Sequence, residues 1–108
     1  MGKSSQLHNN TAPLRDLLSL HRDDILRLAA EHGASNVRVF GSVARDEATP
    51  DSDIDLLVDQ DWSKLSAWGG MGLVVALEDL LGRQVDLATP EELKPALRER
   101  ILKEAVPL

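Results

Sequence analysis

One stretch constrains this chain more than any other. Val37-Arg38-Val39-Phe40 runs into Gly41-Ser42, then Val43-Ala44-Arg45, and shortly afterwards into Ser52-Asp53-Ile54-Asp55-Leu56-Leu57-Val58. The pattern predicts a β-strand, a Gly-Ser turn, a short helical turn and a second strand. Side chains at i and i+2 of a strand share a face. Asp53 and Asp55 therefore project together, while Ile54 points the other way into the core. Two adjacent carboxylates repel unless a cation lies between them. A divalent ion answers that need, because Mg²⁺ takes one or two carboxylates together with substrate phosphates. Gly41 permits close backbone approach, and Ser42 offers a hydroxyl and an N–H where anions bind. The combination points to a metal-dependent nucleotide site.

The rest of the chain supplies helices and a further strand. Residues 1–12 are polar and read as a loose tail, leaving 13–108 as one domain. From Pro13, the residues Leu14, Leu17, Leu18, His21, Ile25, Leu28 and His32 follow a helical period. They fit one helix, or a short one and a longer one divided near Ser19, ended by Gly33. The strands span 36–40 and 53–59. Gln60–Trp68 reads as a loop, and Gly70–Leu81 as a helix closed by Gly82. A third strand spans 84–88. Thr89-Pro90-Glu91-Glu92 has the form of a capping box. A last helix starts near Pro95, with Leu97, Ile101 and Ala105 at helical spacing. The fold class is α/β, a small mixed β-sheet backed by helices.

Charge narrows the function. The chain has 108 residues and a net charge of −6. A protein that grips a nucleic-acid backbone presents a basic face. None is visible, so direct nucleic-acid binding is not expected. There is no cysteine, hence no disulfide and no thiolate metal site. No apolar run approaches a membrane span, and no leader pattern opens the chain. The expected location is cytoplasmic, without a membrane partner.

Each remaining candidate carries two readings. Asp86 interrupts the apolar strand Val85-Asp86-Leu87; it is either a charge on an exposed face or, if that strand lies beside Asp53 and Asp55, the third member of a carboxylate cluster. Such a cluster can hold two metals, roughly 3.5–4 Å apart. Ser42 either caps the short helix or contacts phosphate. Arg45 either pairs with Asp46 or Glu47 or neutralises phosphate charge. Ser52 is a turn residue or orients Asp53. Gly69-Gly70-Met71-Gly72 lacks the Lys-Ser/Thr of a Walker motif and reads as a helix entry. Trp62 and Trp68 anchor that loop, or one of them stacks on a base. His8, His21 and His32 show no shared ligand spacing. Lys94, Arg98, Arg100 and Lys103 form a solvated basic face on the last helix.

Gly41-Ser42, Arg45 and Ser52-Asp53-Ile54-Asp55 resemble the signature of the DNA polymerase beta-like nucleotidyltransferases. More narrowly, the chain resembles the minimal nucleotidyltransferases of antitoxin type. The likeness runs from about Leu17 to Leu108, including Gly82–Leu87 and the tail Leu97–Val106. One departure is Asp46, where many relatives have glycine. It sets a negative charge beside the nucleotide site.

The resemblance implies Asp53 and Asp55 on Mg²⁺, with Asp86 as the third carboxylate, holding a second metal and helping to deprotonate the acceptor. It implies Gly41, Ser42, Arg45 and Ser52 on the nucleotide. The implied reaction moves AMP from ATP to a hydroxyl, with pyrophosphate leaving. It also implies the acceptor: a tyrosine of a partner toxin of the higher eukaryote and prokaryote nucleotide-binding (HEPN) class. A chain of this length has no separate substrate domain, so the acceptor is expected to dock on the core, in a homo- or hetero-oligomer. The alternative is an antitoxin that neutralises its toxin by binding alone, which Asp46 favours. A small-molecule transferase is disfavoured by length.

Overall fold

The computed structural model describes residues 12–64 and 70–108. The leucine period of the N-terminal third forms two helices, α1 (Ala12–Leu20) and α2 (Arg22–Glu31). The break falls at His21, close to Ser19. Strand β1 (Ala34–Phe40) follows, entered through Gly33 at φ +77°. Then come the short helix α3 (Gly41–Ala44), strand β2 (Ile54–Gln60), helix α4 (Met71–Leu81), strand β3 (Val85–Ala88), helix α5 (Pro95–Glu104) and strand β4 (Val106–Pro107). The residues 1–11 and 65–69, which include His8, Trp68 and Gly69, lie outside the described residues.

The sheet order is β3-β2-β1-β4. β1 runs antiparallel to both β2 and β4, and β2 runs parallel to β3. This is the expected mixed sheet. Alternation decides its two faces. Val37 and Val39 of β1, Ile54, Leu56 and Val58 of β2, and Val85 of β3 are all buried. They form one cluster with Leu14, Leu18, Ile25, Ala29, Leu73, Leu77 and Leu81 of the helices. Burying each such side chain stabilises by about 1.5–3 kcal/mol. Leu57, on the opposite face, is buried as well, outside that cluster.

Two turns hold the second half in place. Gly82 adopts φ +67° and its N–H bonds the carbonyl of Glu78, a left-handed helix stop. The Glu78 side chain then accepts the N–H of Val85 at 3.0 Å, tying the end of α4 to the start of β3. The expected capping box is present: Thr89 donates through its N–H and hydroxyl to Glu92, at 3.1 and 3.0 Å. It closes a single 3-10 turn, Pro90–Glu92, because Leu93 turns back to extended geometry. Arg98 staples that turn to α5 by donating to the carbonyls of Pro90 and Leu93. One member of the basic face is thus structural.

Candidate active site

The site forms where β1 ends and β2 and β3 run side by side. In their parallel register Ile54 pairs with Val85 and Asp55 with Asp86. Residues in register in a sheet share a face. The two carboxylates therefore meet, on the face opposite the buried Ile54 and Val85. Asp55 is half-buried and Asp86 exposed. The Asp55 carboxyl is pushed up to about 6, first by burial, then by the charge of Asp86 and a hydrogen bond shared with it, then by the charge of Asp53. Arg45 opposes the shift only weakly.

Asp53 differs from expectation in one respect. β2 begins at Ile54, so Asp53 sits just outside the ladder and is exposed. Among the described residues, no three acidic or histidine side chains converge on a single metal position. The carboxylates form a close pair, Asp55 and Asp86, with Asp53 acting on it through its charge. The donor set nevertheless suits a hard divalent ion. All three are carboxylates, and burial together with the charges of Asp86 and Asp53 disfavours ionised Asp55, a cost that such an ion relieves.

Gly41 abuts Asp55. It adopts φ +74°, a left-handed conformation that glycine takes without penalty. A Cβ built on it would overlap Oδ2 of Asp55. The close approach that Gly41 permits is thus to a carboxylate of the site itself. Its N–H donates to Oε2 of Glu104 at 2.7 Å. Ser42 is inside α3, whose N-cap position is Phe40. The capping reading of Ser42 therefore does not hold: the chain enters α3 one residue earlier, through the glycine.

Arg45 does pair with Glu47, at 3.0 Å, but also reaches both oxygens of Glu104 at 3.2 Å. The Glu47 and Glu104 hydrogen bonds raise its already high pKa, so it stays cationic. Ser52 is committed to a turn, its Oγ accepting the N–H of Thr49 at 2.8 Å. Arg83 donates to the Ser52 carbonyl at 3.3 Å, steadying the approach to Asp53. Asp46 takes φ +61°, which explains why glycine suits the position. Its carboxylate turns to Arg15, 2.7 Å away.

Glu104 is the residue that sequence reasoning missed. It lies 63 positions from Gly41, and nothing local marks it. His32 is settled as a helix-end residue, its Nδ1 bonded to the Leu28 carbonyl at 2.8 Å. Large apolar side chains are exposed at two parts of the surface: Trp62 and Met71 in one, Leu97 and Leu102 in the other.

A close carboxylate pair beside a Gly-Ser turn, at one end of this four-stranded mixed sheet, fits a nucleotidyl-transfer type of site. The family model for the nucleotidyltransferase domain matches residues 19–108. The chain belongs to the nucleotidyltransferase family, and it is a nucleotidyltransferase. It is 35% identical over 94 residues to the protein adenylyltransferase MntA of Thermococcus cleftensis, covering 86% of this chain and 90% of that protein. A solved structure described as a minimal nucleotidyltransferase superposes with a TM-score of 0.75 at 46% identity, over 94% of this chain and 98% of that one. A toxin–antitoxin structure with AMP-PNP shares the fold, with a TM-score of 0.64 at 21% identity, over 79% of this chain and 69% of that one. No helix among the described residues is long and apolar enough to cross a membrane.

Proposed function

We propose that the chain is a protein adenylyltransferase acting as the antitoxin of a toxin–antitoxin pair. It moves AMP from ATP to a hydroxyl of its toxin, which we assign to the HEPN class, with tyrosine as the modified residue. The observation that carries the reading is the Asp55–Asp86 pair, with Asp55 abutting Gly41. It puts carboxylate oxygens and a side-chain-free backbone at one point, as a phosphoryl substrate requires.

Asp53 and Asp55 would hold Mg²⁺, and Asp86 would face the acceptor and a second metal. The ions, when bound, neutralise charge on the triphosphate and on the attacking oxygen. Asp86 accepts the proton of the acceptor hydroxyl. That oxygen forms a bond to the α-phosphorus, the bond from the α-phosphorus to the bridging oxygen breaks, and the electron pair leaves with pyrophosphate. Gly41 and Ser42 would seat the β- and γ-phosphates, and Arg45 would neutralise their charge. The Ser52 turn, pinned by Arg83, aims Asp53. Most of the rate comes from positioning, since a docked toxin makes the attack effectively intramolecular.

The likeness to MntA supports adenylyl transfer to protein, and the fold shared with a toxin–antitoxin structure supports the partner. The acidic charge supports a protein acceptor over RNA. The binding-only alternative rested on Asp46; with that carboxylate paired to Arg15, its weight falls. The test is incubation with a HEPN-class candidate toxin, Mg²⁺ and ATP, followed by mass spectrometry. Adenylyl mass on a toxin tyrosine, lost with Asp53→Asn, is expected. An inhibited but unmodified toxin would establish occlusion instead.

A further inference from the structure

Glu104 is a carboxylate set into an already acidic site. Asp55 abuts Gly41, Asp86 and Asp53 act on Asp55 through their charges, and Glu47 pairs with Arg45, so a further negative charge there is unfavourable by itself. Its geometry accounts for its presence. One oxygen accepts the Gly41 N–H at 2.7 Å, and both lie 3.2 Å from the Arg45 guanidinium. A single group thus grips both ends of the turn. We infer that Glu104 is a positioning residue of the nucleotide site: it holds the Gly41 backbone against Asp55 and aims Arg45. This assignment rests on the nucleotidyl-transfer reading above.

The fold gives Glu104 little freedom. Its side chain is 19% exposed. It stands one helical turn after Ile101, the buried anchor of α5. Directly after it, β4 pairs Val106 with Val39 and Pro107 with Arg38. The Leu108 N–H bonds the Val37 carbonyl at 3.1 Å, and Arg22 donates to the Leu108 carbonyl at 2.9 Å. The carboxylate is therefore fixed between a packed helix and a paired strand. The strand that β4 pairs with, β1, leads directly into Gly41. A rigid acceptor for the Gly41 N–H keeps the left-handed turn, and with it the contact to Asp55, in one arrangement. A guanidinium held by two oxygens loses little further freedom on meeting an anion.

Glu104→Gln tests this, because it keeps the shape, leaves one acceptor oxygen and removes the charge. Glu104→Ala removes the whole contact. Three readouts are taken on the full chain: Mg-ATP binding by calorimetry, the melting temperature, and the Gly41 amide resonance by NMR. In the glutamine variant we expect Mg-ATP affinity to fall roughly tenfold, the scale of a charge-assisted hydrogen bond. The fold should remain cooperative and the Gly41 amide should move upfield. A purely structural role would lower the melting temperature and leave affinity unchanged, overturning the assignment. Tighter Mg-ATP binding would also overturn it, showing a carboxylate that merely competes with phosphate. An unmoved Gly41 amide would refute the contact itself. A parent chain that ignores Mg-ATP overturns the nucleotide reading, and this assignment with it.

Discussion

Asp55 and Asp86 stand opposite each other in the parallel register of β2 and β3, and Asp55 also abuts Gly41 at the end of β1. Three strands thus bring their functional residues to one end of the sheet. Burial and the two neighbouring carboxylates push Asp55 up to about 6. The folded state therefore holds this proton more tightly than the unfolded chain, whose carboxyl titrates near 4. Between about pH 4 and pH 6 the folded state binds more protons, so stability falls as pH rises through that window. In metal-free protein, Asp55→Asn should flatten this decline and raise the melting temperature at pH 7. Thermal unfolding at pH 4, 5, 6 and 7 with a chelator checks it. An unchanged pH profile would show that Asp55 is not raised in the folded state.

Metal binding runs the other way. An ion needs the ionised carboxylate, so Mg²⁺-dependent ATP binding should weaken as pH drops below about 6. Asp53→Asn and Asp55→Asn should each remove metal-dependent ATP binding while leaving the chain folded. Calorimetry with Mg-ATP, with and without a chelator, reads both effects. Full affinity in the double variant would rule out these two residues as the metal ligands.

Asp86 is exposed and lies across the pair from Asp55, on the solvent side. Its proposed work is on the acceptor. Asp86→Asn should therefore bind Mg-ATP nearly as the parent does and yet lose at least about 100-fold in transfer, the usual scale for a removed general base. A binding assay and a transfer assay on one preparation separate the two. Transfer at the parent rate would return Asp86 to the role of a surface residue.

Gly41→Ala meets two obstacles at once. The left-handed backbone costs an L-residue roughly 1–2 kcal/mol. The new methyl group also displaces the Asp55 carboxylate. A loss of about 2 kcal/mol or more in denaturant unfolding is expected, together with loss of Mg-ATP binding. Stable protein with intact binding would mean that the turn can shift without consequence.

Asp46→Gly has opposing effects of similar size. Glycine relieves the strain of φ +61°, worth about 1 kcal/mol. The exposed ion pair with Arg15 is lost, worth about 0–1 kcal/mol. Stability should stay within about 1 kcal/mol of the parent. Mg-ATP affinity should change little, because this charge already faces Arg15. A large gain in affinity would show that Asp46 does repel the nucleotide.

Much of this protein is local chemistry and was legible in the chain. Alternation in Val37–Phe40 and Ile54–Val58 marks strands, because side-chain direction in a strand depends only on position. The leucine periods mark α2 and α4. The Gly41 turn, the Gly82 stop and the Thr89–Glu92 box declare themselves through residue types suited to few conformations. What tertiary structure decided depends on which segments meet. Strand β4 is two residues, one of them proline, too short for any pattern; it exists because β1 offers it an edge. Leu57 is buried on the face that Asp55 shares, which alternation alone assigns to solvent. The register that sets Asp86 beside Asp55 is a choice among parallel pairings that neither strand encodes by itself. The grip of Glu104 on Gly41 and Arg45 spans most of the chain. Hydrogen-bond partners so far apart in sequence leave no periodicity, and only the closed fold brings them within reach.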